Sequence, residues 1–201
     1  MVKVYAIDGV IPVVHPSAFV HPSAVLIGDV VVGADCYIGA CAALRGDIGR
    51  IVVEAGANVQ DQCVLHCFPK AECRIGPWGH IGHGAVLHGA TVGAHALVGM
   101  NAVLMDGSEI GDYAFVAAMS FVAGGFVVPP RSLAAGIPAE VRRTLTDDEI
   151  AWKRRGTEEY QRIAKRSRET MREVEALTEL DANRPTLPVE VHHPLHVVRG
   201  R

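Results

Sequence analysis

The chain has 201 residues, a formal net charge of −3, and a composition that is 49% hydrophobic but only 5% aromatic. Its mild acidity gives no electrostatic basis for binding nucleic acid or a membrane surface, and no apolar run approaches the roughly 18 residues needed to span a bilayer. The first ten residues lack the apolar core and cleavage site of a signal peptide. These features predict one cytoplasmic domain with an appendage, whose core is built from aliphatic side chains.

The five cysteines, an odd number, favour a reduced cytoplasmic chain over a disulfide framework. Cys63, Cys67 and Cys73 could be metal ligands, but their spacing matches no common zinc pattern. We therefore expect packed or loop thiols at these positions.

In chain order, the first predicted element is a repeat of six residues that extends from about residue 11 to about residue 140. Aliphatic residues recur at every sixth position in four runs: Val20 to Leu44, Val53 to Leu65, Ile75 to Leu87 and Val86 to Val128. This period fits neither a helix, whose period is 3.6, nor an isolated amphipathic strand, whose period is two. It is typical of short strands joined by turns, three to a triangular coil, which stack into a parallel β-helix of about seven coils.

The phase of the repeat slips near residues 45–53, 66–74 and 86–87. Slips of this kind predict loops or bulges, and loops on a rigid scaffold often carry functional sites.

Beyond residue 143 the predicted element is helical. Thr146 and Glu149 form a capping box that would start a helix, and Gly156 is a candidate break within it. One plausible apolar stripe consists of Ile150, Tyr160, Ile163, Ala164, Met171, Val174 and Leu177. We therefore predict a β-helix domain over 1–143, one long or two short helices packed on its outside over 144–180, and an irregular tail over 181–201.

Two histidines share one phase of the repeat. His66 and His88 each follow an inward leucine, and they are 22 residues apart, one 18-residue coil plus four residues. An outward loop of four residues within 67–74 would restore the register. The two imidazoles should then stack roughly 5 Å apart on adjacent coils, close enough to share a metal ion.

A third histidine, His83, lies on the preceding side of its coil. Five extended residues span up to about 16 Å, so His83 and His88 should face different sides of the prism. A threefold assembly would bring them together, because one subunit could supply His66 and His88 while its neighbour supplies His83. Three histidines with an open fourth position are a catalytic zinc arrangement. The alternative is a set of hydrogen-bonded or surface histidines, and we expect this of His80.

Several ordered motifs resemble the gamma-class carbonic anhydrase family. They are Leu44-Arg45-Gly46-Asp47, Gly56-Ala57-Asn58-Val59-Gln60-Asp61, His66, Gly82-His83 and His88-Gly89. The resemblance covers about residues 15–143. It implies a homotrimer of left-handed β-helices, with zinc, or iron or cobalt, at each subunit interface, and carbon dioxide or bicarbonate as substrate.

The same resemblance implies a role for each matched residue. The implied metal ligands are His66, His83 and His88. Gln60 matches the side chain that hydrogen-bonds the metal-bound water, which ionises near neutral pH and becomes a nucleophile. Arg45 and Asp47 match an ion pair at the interface, where structural support is as good an interpretation as direct chemistry. Asn58 and Asp61 match polar groups that line the site.

One departure from the family concerns the proton shuttle. The archetype of the class has an acidic loop just after the position of Asp47, whereas this chain has Ile48-Gly49-Arg50. Because fast hydration of carbon dioxide needs an outlet for protons, we do not expect high anhydrase activity. Glu72 is a weak candidate for a substitute.

Further motifs resemble the PaaY/CaiE-like branch of this family, which comprises proteins of phenylacetate degradation and of carnitine operons. They are Phe68-Pro69, Gly99-Met100-Asn101-Ala102-Val103, Asp106-Gly107, Ala151-Trp152-Lys153, Gly156-Thr157 and Glu159-Tyr160-Gln161. The resemblance to PaaY-like proteins is the nearer one, and it implies a thioesterase that hydrolyses aromatic-ring-derived acyl-CoA esters in phenylacetate catabolism.

Three enzymatic functions therefore stay open: a metal-dependent acyl-CoA thioesterase, a carbonic anhydrase and a hexapeptide acyltransferase. The last is suggested by Gly136-Ile137-Pro138-Ala139, but such enzymes typically use a histidine base without a metal. An accessory role in a carnitine pathway is a fourth alternative. Lys153, Arg154 and Arg155 could contact CoA phosphates, although a solvated helix face is the interpretation that we favour.

Overall fold

The repeat folds into a parallel β-solenoid in this computed structural model, which describes residues 2–187 and 193–198. The strands are β1 (Lys3–Tyr5), β2 (Val13–Val14), β3 (Phe19–Val20), β4 (Val25–Val32), β5 (Tyr37–Ile38), β6 (Ala43–Val53), β7 (Asn58–Val59), β8 (Val64–His66), β9 (Glu72–Ile75), β10 (His80–Ile81), β11 (Val86–His88), β12 (Thr91–Val92), β13 (Leu97–Val98), β14 (Val103–Leu104), β15 (Glu109–Ile110), β16 (Phe115–Val116), β17 (Phe121–Val122), β18 (Val127–Val128), β19 (Ser132–Gly136) and β20 (Ala139–Thr144). The helices are α1 (Asp147–Thr170) and α2 (Leu195–Val198).

Three faces of stacked strands form the solenoid. The first face contains β8, β11, β14 and β17, the second contains β9, β12, β15 and β18, and the long strands β4 and β6 cross from one to the other. The third face runs from β3 through β5, β7, β10, β13 and β16 to β19, against which β20 pairs antiparallel. The parallel β-helix of about seven coils is thereby confirmed, while its left-handed sense stays an implication of the resemblance.

From β3 to β18, each short strand points one buried aliphatic residue into the interior, as the period of six predicts. Leu44, Leu65, Leu87 and Leu104 form the ladder of the first face, and none of them is exposed. The prediction is wrong at Val86, which is 37% exposed, because the phase slip there passes the inward position to Leu87. Cys63, Cys67 and Cys73 are buried as packed thiols, as predicted, and burial raises the pKa of Cys73 to about 12.

Two of the predicted slips are insertions beside the first face. Gly28 pairs with Gly46 but Val30 pairs with Ile51, so β6 bulges around Asp47. His66 pairs with His88, and the extra residues between β8 and β9 form an outward loop that contains Phe68.

Helix α1 packs along the outside of the third face. The capping box at Thr146 is present, and Gly156 does not interrupt the helix. Near its end, Arg168 donates to the carbonyl oxygen of Ser17, just before β3, the first strand of that face.

The predicted helical segment is too long. Helix α1 ends at Thr170, because no strand of the third face remains for it to cover, and the continuation of the stripe is exposed at Met171, Val174 and Leu177. The tail contains the short helix α2, and the predicted irregular structure at 188–192 and 199–201 lies outside the described residues. No helix of the described residues has both the length and the apolar character needed to cross a membrane.

Candidate metal centre

A line of four side chains runs up the first face of the solenoid: Asp47, His66, His88 and Asp106. Nε2 of His66 lies 3.1 Å from Oδ1 of Asp47, and Nδ1 of His88 lies 2.7 Å from Oδ1 of Asp106. Between the rings, Nδ1 of His66 lies 3.2 Å from Nε2 of His88, and the ring centroids are 5.1 Å apart. The predicted stacking of the two histidines is confirmed.

The two carboxylates determine which ring nitrogens carry hydrogen. A neutral imidazole that donates one N–H keeps a lone pair on its other nitrogen. Because Asp47 and Asp106 accept from the outer nitrogens, the inner nitrogens of His66 and His88 direct two lone pairs at each other. Such a pair requires a shared proton or a cation between them.

The spacing of these nitrogens fits zinc. Two nitrogens bound tetrahedrally at about 2.0–2.1 Å would be about 3.3–3.4 Å apart, close to the 3.2 Å between His66 and His88. A ligating histidine commonly donates its other N–H to a carboxylate, as both rings do here.

Asp106 was absent from the predicted site, although the repeat contained a signal for it. It lies 18 residues after His88, which is one coil. Gly89 allows its approach, because a Cβ there would collide with Oδ1 of Asp106, and the φ of +59° also favours glycine.

His83 lies apart from this line, in the turn after β10 of the third face. Its Nδ1 is 3.1 Å from Oδ2 of Asp61, and its Nε2 is 3.4 Å from the hydroxyl of Tyr160. The predicted separation from His66 and His88 is thus present, and His83 shares with them the pairing of one ring nitrogen with a carboxylate. Within residues 2–187 and 193–198, no three His, Cys, Asp or Glu side chains are grouped to hold one metal ion.

Asn58 and Gln60 also belong to the third face rather than to the line of His66 and His88. Both are buried, and Nε2 of Gln60 lies 3.0 Å from Oδ1 of Asn58 and 2.7 Å from Nε2 of His80. Within one chain the predicted site is therefore divided into two halves, one on each of two faces.

Comparison with known proteins gives the family. A model of the bacterial transferase hexapeptide family (six repeats) matches residues 11–46 and 89–124. The carnitine operon protein CaiE of Escherichia coli K12 is 55% identical over 183 residues, which cover 91% of this chain and 93% of that protein. This chain belongs to the CaiE family of hexapeptide-repeat proteins. The predicted PaaY/CaiE-like branch is confirmed on its CaiE side, and the nearer resemblance to PaaY stays a prediction.

Two solved structures share the fold of this CaiE-family chain. A candidate acetyltransferase of Bacillus cereus is 33% identical with a TM-score of 0.82, over 84% of this chain and 98% of that one. A hexapeptide transferase family protein of Anaplasma phagocytophilum is 34% identical with a TM-score of 0.78, over 81% and 96%. The family is thus related to hexapeptide-repeat transferases.

An ion pair between Arg45 and Asp47 lies at one end of the line formed by Asp47, His66, His88 and Asp106. Nη1 of Arg45 lies 2.7 Å from Oδ2 of Asp47. Burial works to raise the pKa of Asp47, but hydrogen bonds from Arg45 and His66 outweigh it and hold that pKa below its usual value. Asp47 is therefore ionised at neutral pH and keeps His66 in one tautomer.

The residues that follow β8 supply an aromatic wall and an ion-paired carboxylate. The side chain of Phe68 is 58% exposed, and its ring meets that of His88 edge-on at 5.0 Å. Glu72, the proposed substitute for the shuttle, accepts from Nε of Arg74 at 2.6 Å. An ion-paired carboxylate is a poor proton carrier, which further weakens that assignment.

Lys153 is neither solvated nor available to CoA phosphates, so both of our interpretations of it were wrong. Its side chain is buried under α1, with Nζ 2.8 Å from the carbonyl oxygen of Trp78, and burial lowers its pKa to about 7. Arg154 and Arg155, one and two residues further, are exposed.

Proposed function

We propose that this CaiE-family protein is a metal-dependent hydrolase whose site is completed between subunits of a homotrimer. The observation that carries the proposal is the pair of inner nitrogens of His66 and His88, 3.2 Å apart, each ring held by a carboxylate. His83 has the same carboxylate pairing on a different face. A neighbouring subunit that presents that face would supply the third ligand, together with Gln60.

Zinc, or iron or cobalt, fits this set of nitrogen donors. Such an ion polarises a carbonyl oxygen and lowers the pKa of a bound water toward neutrality. The chain's own side chains fix the orientation of the three imidazole rings. Asp47, Asp61 and Asp106 each accept from one ring nitrogen of His66, His83 and His88, and Arg45 keeps Asp47 ionised, so the other ring nitrogen of each histidine is left for a metal ion. Between His66 and His88 the ion would replace the shared proton.

The substrate that we propose is an acyl-CoA thioester with an aromatic-ring-derived acyl group, as in phenylacetate catabolism. Phe68 supports this choice, because its exposed ring stands beside His88 and offers an edge or a face to a second ring. The absence of an acidic residue from Ile48-Gly49-Arg50 is tolerable here, since thioester hydrolysis can proceed more slowly than hydration of carbon dioxide.

Hydration of carbon dioxide is the second candidate, and the same three histidine–carboxylate pairs favour it. It would use the same ligands on a smaller electrophile. Phe68 distinguishes the two, because a wall for an aromatic ring is of no use to carbon dioxide.

The test is thiol release from a panel that includes phenylacetyl-CoA, its ring-hydroxylated analogues and acetyl-CoA. Zinc-loaded protein should release thiol selectively from the aromatic esters, and EDTA-stripped protein should not. Phe68→Ala should weaken this selectivity, whereas Phe121→Ala, a change on another coil of the same face, serves as the matched control. Equal release by stripped protein would refute metal dependence. Release only when an amine acceptor is added would favour acyl transfer, as the names of the solved relatives suggest.

A further inference from the structure

A buried polar triad lies on the third face, close to α1. It consists of Asn58, Gln60 and His80, which occupy β7, the turn after it and the paired strand β10. Nε2 of Gln60 is shared between Oδ1 of Asn58 and Nε2 of His80, and Nδ2 of Asn58 is 3.3 Å from Nδ1 of His80. The ring of Tyr160 from α1 closes the triad edge-on, with its centroid 5.3 Å from that of His80.

The donors and acceptors in this triad are coupled. A neutral imidazole has one acceptor nitrogen and one N–H, so His80 cannot accept from both amides. The contact with Gln60, at 2.7 Å, is the shorter one and takes the lone pair of Nε2. Hydrogen then resides on Nδ1, so the 3.3 Å approach of Nδ2 of Asn58 brings two donors together and is not a hydrogen bond.

The neutral state of His80 has its own physical cause. Burial lowers its pKa to about 3, with the charges of Lys153 and His83 acting in the same direction. A doubly protonated ring would need both amides reversed, which would turn the nitrogen of Gln60 outward.

The amide oxygen of Gln60, Oε1, is the atom of this side chain that remains available to a further donor. Both hydrogen bonds of its amide involve Nε2, and no described residue donates to Oε1. The fully buried side-chain atoms that lack a partner in the described chain are Nδ1 of His95 and Oγ of Ser108. Oε1 of Gln60 has no partner and is not one of these buried atoms, so it is in contact with solvent. It can therefore accept a hydrogen bond from a molecule outside the chain.

We propose that His80 is the positioning residue that holds the amide of Gln60 with Oε1 directed outward, to orient water at the site between subunits. This inference rests on the proposed function, since the water is the nucleophile of that site. His80 acts through Gln60 and does not touch the substrate. The tautomer and the amide are locked together, because hydrogen on Nε2 would force the opposite end of Gln60 to face outward.

The first test is kinetic and uses the full-length, metal-loaded protein. His80→Phe keeps a ring against Tyr160 but removes both nitrogens, and it should lower kcat for phenylacetyl-CoA roughly 10-fold, the effect of one lost positioning hydrogen bond, with KM unchanged. His80→Gln restores an acceptor and should recover most of kcat. His95→Phe is the matched control, because His95 stacks on Trp78 and Tyr113. In a Gln60→Ala background, His80→Phe should have almost no further effect.

The second test needs no activity. Nitrogen-15 NMR of histidine-labelled protein, with the His80 signals assigned by their loss in His80→Phe, should show Nδ1 protonated and Nε2 unprotonated. A proton on Nε2 would overturn the inference, as would an undiminished kcat in His80→Phe or an equal loss in the Gln60→Ala background. If wild-type protein neither releases thiol nor hydrates carbon dioxide, the proposed function fails, and the NMR result still decides the orientation of the triad.

Discussion

Asp106→Asn should weaken zinc binding, because it removes the charge behind His88 and leaves an atom that can still accept from Nδ1. Loss of such a partner commonly costs 10- to 100-fold in metal affinity. The side chains of His88 and Asp106 are 26% and 32% exposed, so solvent weakens their interaction. We therefore expect the lower part of that range, roughly 10- to 30-fold, or about 1.4–2 kcal/mol of binding free energy.

The assay is competition for zinc against a chromophoric chelator at one fixed pH and ionic strength. Asp112→Asn is the matched control, because Oδ1 of Asp112 accepts from the backbone N–H of Ala94 and Asp112 contacts none of the three proposed ligands. It should bind zinc within twofold of wild type. An Asp106→Asn affinity equal to that of wild type would refute the reasoning, and an equal loss in both variants would show a general effect of charge.

The remaining predictions concern stability and pH. Leu87→Ala should lower the free energy of unfolding by about 3–5 kcal/mol, because it leaves a cavity in the core. Val86→Ala, at the exposed neighbouring position, should lower it by less than about 1 kcal/mol. Denaturant unfolding at one protein concentration compares the two variants, and equal losses would contradict the register of β11. Lys153→Met should stabilise the fold most at pH 7 and below. Between the lowered pKa of about 7 and the usual 10.5, the unfolded chain binds more protons than the folded one. The stability of wild type therefore rises with pH in that window, and the advantage of the variant should shrink by pH 10. A difference in stability that stays constant with pH would contradict the burial of an amine with a lowered pKa.

Much of the fold was predictable because one physical rule repeats along the chain. From β3 to β18, each short strand buries one aliphatic side chain, so a period of six determines the coil, and a break in the period reveals an insertion. The 22-residue spacing of His66 and His88 therefore predicts their pairing on adjacent coils, which the structure confirms.

Other features depend on tertiary contacts that the six-residue repeat does not determine. The burial of Lys153 follows from the way α1 rests on the third face, and nothing in a run of three basic residues distinguishes it from Arg154. The end of α1 at Thr170 is determined by where the third face ends, although the apolar stripe continues. His80 was expected to be a supporting or surface residue, and its partners became evident only when β7 and β10 were paired.

The central claim is that two subunits build one site, and mixed trimers test it most directly. The variant His83→Ala and the double variant His66→Ala/His88→Ala should each be inactive and fail to bind zinc in the site. Refolded together with zinc, they should regain thiol release, because the first variant supplies His66 and His88 while the second supplies His83 at a shared interface. Failure of the mixture to regain activity would contradict the account, and so would zinc binding and activity retained by His83→Ala alone.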